Sequence, residues 1–186
     1  MSETQFTGLE RMTADPKGRV GVPARYLRVL KNICPDRADR VGVRLTPERS
    51  IKVMPAPMYE AELETWSGLD DRIDDERMVL NMSTVGADLL ELDNQNRIRL
   101  NPLLMKLCGI DRQVVFVGSV RFMQIYAEEV YLEMIQANQP AWSRAQTNVA
   151  RQSAAPAAEA APVQYVINVP AGGTPILSPP PGEPSR

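Results

Sequence analysis

The chain repeats itself, and that repetition limits what it can fold into. Laying Asp15 on Asp93, an offset of 78 positions, places Arg19 on Arg97, Val20 on Ile98, Val22 on Leu100, Tyr26 on Leu104, Leu27 on Met105 and Arg28 on Lys106. In the first copy, residues 6–13 have strand character and Asp15-Pro16-Lys17-Gly18-Arg19 follows as a turn. Pro16 presets φ at the second turn position and Gly18 supplies the permissive position that closes it. Arg19-Val20-Gly21-Val22 is a short alternating strand with both valines on one face. Pro23 opens a helix as a first-turn proline, with Tyr26, Leu27 and Leu30 on the apolar side and Arg25, Arg28 and Lys31 opposite. Residues 41–45 and 51–54, joined by TPERS, read as a β-hairpin, and the second copy ends in its own hairpin, residues 114–118 and 121–126. Each copy is thus strand–turn–strand–helix–hairpin. At about 45 residues, one copy is too small to bury a full core, so the two are expected to fold together. The expected fold class is α+β, rich in β. Residues 58–82 between the copies read as an acidic helical region, two helices broken near Ser67-Gly68.

Composition limits the chemistry. The sequence has no histidine, which removes Ser-His-Asp and Cys-His nucleophile systems and histidine metal sites from consideration. Cys34 and Cys108 form no CxxC and no disulfide framework, and they read as small hydrophobes or inert thiols. The acid pairs Asp70-Asp71 and Asp74-Asp75 lie in a helix-forming run with no glycine-rich loop or nucleophile nearby, so no enzyme, metal or cofactor is expected. No run approaches the about 18 apolar residues of a membrane span, and the first twenty residues lack an apolar signal core. A soluble protein of a reducing compartment is expected. Residues 137–186 hold 9 of the 16 prolines, and disorder is the default there. One island in that tail, residues 163–169, reads either as a short strand for a protein partner or as an incidental apolar patch.

Charge is polarised along the chain. From Arg11 to Lys52 eleven basic residues face four acidic ones; from Val53 to Asn96 eleven acids face two arginines. The pattern fits one anion-facing surface with another surface kept away from it. It equally fits two oppositely charged faces that meet each other, within a protomer or between protomers.

Each copy carries D-x-x-x-R at its turn, Asp15 to Arg19 and Asp93 to Arg97. Two such turns side by side suit a polyanion, because the planar guanidinium meets phosphate or the guanine O6/N7 edge bidentately. The same residues can equally form an Asp–Arg ion pair that stiffens the turn, and the two roles are compatible.

The longer pattern, DPKGRVGVPARYLRVL and then LDNQNRIRLNPLLMKLCGIDRQVVFVG, resembles the MraZ family over roughly residues 6–134, the whole body of the chain ahead of the tail. The resemblance implies two tandem SpoVT-AbrB modules, residues 7–58 and 84–130, joined by an acidic helical connector, residues 59–83. These would form a swapped-hairpin, double-split β-barrel with flanking helices; on the Pro/Ala-rich tail of residues 137–186 the resemblance is silent. It also implies a ring-shaped homo-oligomer in the cytoplasm, associated with the nucleoid. The implied function is sequence-specific binding of double-stranded DNA at direct repeats upstream of division and cell-wall genes, the protein's own gene included. An assembly module of the same fold with reduced DNA binding is the alternative. Arg19 is the first candidate for a base contact and Lys17 for phosphate, joined by Arg11, Arg97 and Arg99, while Asp15, Gly18 and Asp93 support the motif. The sequence departs from the family pattern at Asn96, where glycine is expected, and at Asn101, where proline usually opens the second helix. An acidic chain, with pI near 5.3, binds DNA through local phosphate neutralisation. A ring can multiply a weak protomer's affinity by about 10² to 10⁴.

Overall fold

In the computed structural model, which describes residues 4–154, 166–168 and 176–178, both copies fold into the same run of elements. The first comprises β1 (Leu9–Thr13), β2 (Arg19–Gly21), α1 (Ala24–Ile33), β3 (Arg40–Leu45) and β4 (Ile51–Pro55). Helices α2 (Ala56–Ser67) and α3 (Asp74–Thr84) connect it to the second, with the expected break after Ser67. The second copy is β5 (Asp88–Glu91), β6 (Arg97–Arg99), α4 (Pro102–Leu107), β7 (Gln113–Gly118) and β8 (Met123–Ala127). Pro23 caps α1 instead of entering its first turn. Its ψ of 138° is extended, while its carbonyl accepts from the backbone N–H groups of Tyr26 and Leu27. In α4 the change at Asn101 works as a cap: its side-chain oxygen accepts from the Leu103 N–H at 2.8 Å, and Pro102 occupies the first helical position. Asp74, Asp75 and Glu76 fill the first turn of α3, where the helix dipole favours anions.

Pairing crosses between the copies. The hairpins β3–β4 and β7–β8 stay intact, but β1 pairs with β7 and β5 pairs with β3, so each copy lends its first strand to the other's hairpin. The hairpins abut through β4 and β8, with Lys52 opposite Gln124, which gives the six-stranded antiparallel order β1-β7-β8-β4-β3-β5. A separate two-stranded ribbon pairs β2 with β6, with Val20 opposite Ile98. Both central pairings relate equivalent positions, as a two-fold axis would. This is the swapped-hairpin α+β arrangement expected.

One core serves both copies. Val20, Tyr26, Leu30 and Val53 of the first are buried in the same cluster as Ile98, Leu104, Phe116 and Ile125 of the second. Each such side chain contributes about 1.5–3 kcal/mol on burial. Tyr26 satisfies its hydroxyl by donating to the Gly8 carbonyl at 2.7 Å. Cys34 and Cys108 are buried, and burial pushes the Cys108 thiol up to about 11. The described chain divides into two compact units, Met1–Ala137 and Asn138–Arg186.

Helix α5 (Glu128–Ala154) extends beyond the point where sequence periodicity fades. From 141 to 154 the sequence has neither proline nor glycine, and alanine recurs at 141, 145, 150 and 154, so propensity sustains helix without an apolar face. This corrects the expectation of disorder for residues 137–154. Residues 155–165, 169–175 and 179–186 lie outside the described residues. Of the apolar island, Val166–Asn168 forms a strand, β9, antiparallel to β10 (Ile176–Ser178). The island's residues 163–165 and 169 lie outside the described residues. Among the described residues, no helix is long and apolar enough to cross a membrane.

Candidate nucleic-acid interface

The two D-x-x-x-R turns have nearly the same geometry. In the first, the Asp15 carbonyl accepts from Gly18 N–H at 2.9 Å, and one Asp15 carboxylate oxygen accepts from the Lys17 and Arg19 N–H groups, both at 2.9 Å. The other carboxylate oxygen accepts from Arg19 Nε at 2.6 Å and pairs with Nη2 at 2.6 Å. The second turn repeats the set: Asn96 N–H to the Asp93 carbonyl at 2.8 Å, Gln95 and Arg97 N–H to Asp93 Oδ1 at 2.9 and 3.0 Å, and Arg97 Nε to Oδ2 at 2.8 Å. Asn96 has φ 57° where Gly18 has φ 74°, the left-handed conformation that asparagine tolerates better than most residues. The substitution therefore leaves the second turn intact.

The aspartates keep the arginines in place at neutral pH. Asp15 is held below the usual carboxylate range by the backbone N–H and then the guanidinium of Arg19. The Arg97 guanidinium, helped by backbone N–H groups, brings Asp93 down to about 2. Arg97 is pushed up by Asp93 first, and Asp15 adds to that rise, so the two turns share one electrostatic field. The ion-pair role is thus realised, and it orients the arginines. It uses only the Nε–Nη2 edge, which leaves the remaining guanidinium donors outside it.

Position follows from pairing. Val20 and Ile98, directly opposed, are 0% exposed and clamp one ribbon face to the core. Strand alternation then puts Arg19, Arg97 and Arg99 together on the opposite face. The side chains of Arg19 and Arg97 are 36% and 28% exposed, and Arg99 is exposed. Each turn is also tied to the other copy's strand, since Leu100 N–H donates to the Gly18 carbonyl at 2.8 Å and Val22 N–H to the Asn96 carbonyl at 2.9 Å. Lys17 is exposed beside this face, in a groove of about 620 Å³ also lined by Gly18, Arg99 and Lys106.

Arg11 is placed elsewhere. On β1 it alternates with Met12, whose terminal methyl lies against Gly21 of the ribbon, so Arg11 points away from that ribbon. Its guanidinium meets Glu128 at 2.6 Å. The structure therefore gathers Lys17, Arg19, Arg97 and Arg99 and leaves Arg11 out. Much of the basic block is neutralised by the acidic one: Arg37 pairs with Glu60 at 2.6 Å, Arg40 with Glu91 at 2.8 Å, and Arg44 with Glu62 at 2.7 Å, while Lys52 also reaches Glu62. For these four cations the two charged blocks meet each other within the protomer. Sequence reasoning did not bring Lys106 to the groove, because nothing in the chain around it signals that α4 lies beside the first turn.

These features define a class: an internally duplicated α+β protein with exchanged first strands, whose core-clamped ribbon presents arginines oriented by aspartates. Comparison with known proteins makes it specific. No family model matches the chain. The transcriptional regulator MraZ of Neisseria meningitidis is 30% identical over 136 residues, which span 71% of this chain and 87% of the relative. The MraZ of Chlorobium luteolum is 30% identical over 119 residues, 61% of this chain and 78% of the relative. The MraZ of Pelodictyon phaeoclathratiforme is 27% identical over 135 residues, 70% of this chain and 89% of the relative. The chain belongs to the MraZ family.

Proposed function

We propose that this protein is a transcriptional regulator that binds double-stranded DNA through the arginine-bearing face of its β2–β6 ribbon. The observation that carries the reading is the ribbon itself. Arg19 and Arg97 carry their aspartates, but Arg99 forms no ion pair among the described residues and repels Arg19 directly opposite it. The fold keeps all three on one face by burying Val20 and Ile98 behind them. A bound polyanion relieves that repulsion. The relatives' naming as transcriptional regulators supports DNA as that polyanion. Arg19 is assigned the base edge, Lys17 phosphate, and Arg97 and Arg99 the same work from the second copy.

The copies are read as SpoVT-AbrB modules, residues 7–58 and 84–130, joined by residues 59–83, with sheet and ribbon as two parts of a double-split barrel. The protein acts in the cytoplasm, on the nucleoid, as a ring-shaped homo-oligomer. Its operators are direct repeats upstream of division and cell-wall genes, its own included. A protomer offers few phosphate contacts, and a ring that repeats them along one face compensates. Ile73, just before α3, and Met78, Val79 and Met82 on it are exposed, Met78 to 66%, and this apolar surface supports association between protomers.

The test is fluorescence anisotropy with DNA from upstream of the protein's own gene and with scrambled DNA, at several salt concentrations. Preference for the upstream DNA, a steep salt slope and at least tenfold loss in Arg19→Ala are expected. Equal, weak binding to both DNAs refutes the reading and leaves an assembly module of the same fold.

A further inference from the structure

The near two-fold symmetry that relates the copies does not extend to their charge. We propose that the protein holds DNA phosphate chiefly in one groove, built jointly by the first turn and the second copy, and that Lys106 is a phosphate-binding residue of that groove. The proposal rests on the DNA-binding reading above and adds where on the ribbon the backbone is held.

Three chain segments supply the groove's cations: Lys17 from the first turn, Arg99 from β6 and Lys106 from the last turn of α4. All three are exposed, and among the described residues none forms an ion pair. That contrasts with Arg37, Arg40, Arg44 and Lys52, each matched to a carboxylate of the acidic segment. Two acids line the groove as well. Asp15 is committed to Arg19, so Asp111 alone stands against three cations.

The equivalent positions on the other side carry one cation in place of three. Across the offset of 78, Lys17, Arg99 and Lys106 correspond to Gln95, Gly21 and Arg28. The register tells the same story: Arg19 stands directly opposite Arg99, whereas Arg97 stands opposite Gly21. Directly opposed like charges destabilise a strand pair. The protein accepts that cost at one end of the ribbon only, beside the groove where Lys17 and Lys106 add to the positive field. An anion seated there removes the repulsion, and a phosphate diester fits the donors because lysine and arginine can both meet its oxygens.

The experiment measures the salt dependence of DNA binding for the full chain, wild type beside Lys106→Gln, Lys106→Arg, Arg99→Gln, Arg28→Gln and Arg19→Ala. Loss of one phosphate contact lowers the slope of log K against log salt by about 0.9 per protomer engaged. That decrease is expected for Lys106→Gln and for Arg99→Gln, with the slope retained in Lys106→Arg and in Arg28→Gln. The proposal is overturned if Lys106→Gln keeps the wild-type slope while Arg19→Ala still loses binding. It is also overturned if Arg28→Gln lowers the slope as much as Lys106→Gln does, since the two sides would then be equivalent. Wild-type protein that fails to bind DNA overturns the functional reading itself, a result visible before any variant is compared.

Discussion

Gly18 and Asn96 occupy the same place in two matching turns, yet an alanine should be tolerated very differently at each. A left-handed backbone costs an alanine about 1–2 kcal/mol. At Gly18, with φ 74°, an added Cβ also comes within 3.0 Å of the Leu100 carbonyl oxygen and 3.2 Å of Met105 Sδ. The methionine can shift. The carbonyl cannot easily, because the Leu100 backbone is tied to this turn through its N–H bond to the Gly18 oxygen at 2.8 Å. Crowding adds about 1–2 kcal/mol, and the lost flexibility of the unfolded chain returns about 0.4–1. Gly18→Ala should therefore destabilise by about 2 kcal/mol. Asn96 already carries a Cβ at φ 57° and is exposed. Asn96→Ala loses only asparagine's advantage in that conformation, about 0.5–1 kcal/mol, and Asn96→Gly should be close to neutral. For a unit of this size each kcal/mol moves the melting temperature by about 3–5 °C. Thermal unfolding followed by circular dichroism should then show Gly18→Ala about 6–10 °C below wild type and Asn96→Ala about 2–5 °C below. Equal shifts for the two alanines would refute the crowding argument, and a large loss in Asn96→Gly would refute the equivalence of the turns.

Other substitutions test different parts of the structure. An alanine at Gly42 would place its Cβ 2.2 Å from the Cβ and Cγ of Tyr59, so Gly42→Ala must push α2 off β3 and cost about 3 kcal/mol, read as a drop in the urea midpoint. Burial pushes Glu62 up, but hydrogen bonds from Lys52 and Arg44 outweigh it and hold the carboxyl below its usual value. Glu62→Ala leaves Lys52, only 10% exposed, without its partner and should cost about 3 kcal/mol by chemical denaturation, more than Glu60→Ala at the exposed Arg37 pair. Asp93 falls from 3.8 to about 2 in the folded protein, so its contribution is fully present above about pH 4 and is lost as pH falls toward 2. The urea midpoint of Asp93→Asn should thus lie below wild type at neutral pH and converge with it near pH 2. Cys34 and Cys108, buried with raised thiol values, should react with an aromatic disulfide reagent only as fast as the protein opens, a rate that added urea increases.

What could be read along the chain was whatever local chemistry repeats. The offset between Asp15 and Asp93 located both turns, both short strands and both hairpins, because side-chain alternation, a left-handed turn residue and a capped helix are encoded within a few residues of one another. It also picked out Arg19 and Arg97, since the aspartate that orients each lies four positions earlier. The family pattern supplied the exchange of strands, which the periodicity of β1 and β5 could not: an alternating strand fits the edge of either hairpin. Which charges remained available depended on distant partners. Arg11 belonged with the turn cations by sequence position, yet β1 carries it to Glu128. The basic and acidic blocks fitted either separate surfaces or faces that meet, and packing chose the second for Arg37, Arg40, Arg44 and Lys52, set against carboxylates of the acidic segment. Lys106 was one more lysine on a short helix until α4 was placed beside the first turn. Local backbone preference is a property of neighbouring residues and survives in the sequence. Electrostatic pairing acts across space, and it becomes definite only when the shared core sets which segments lie within a few ångströms of each other.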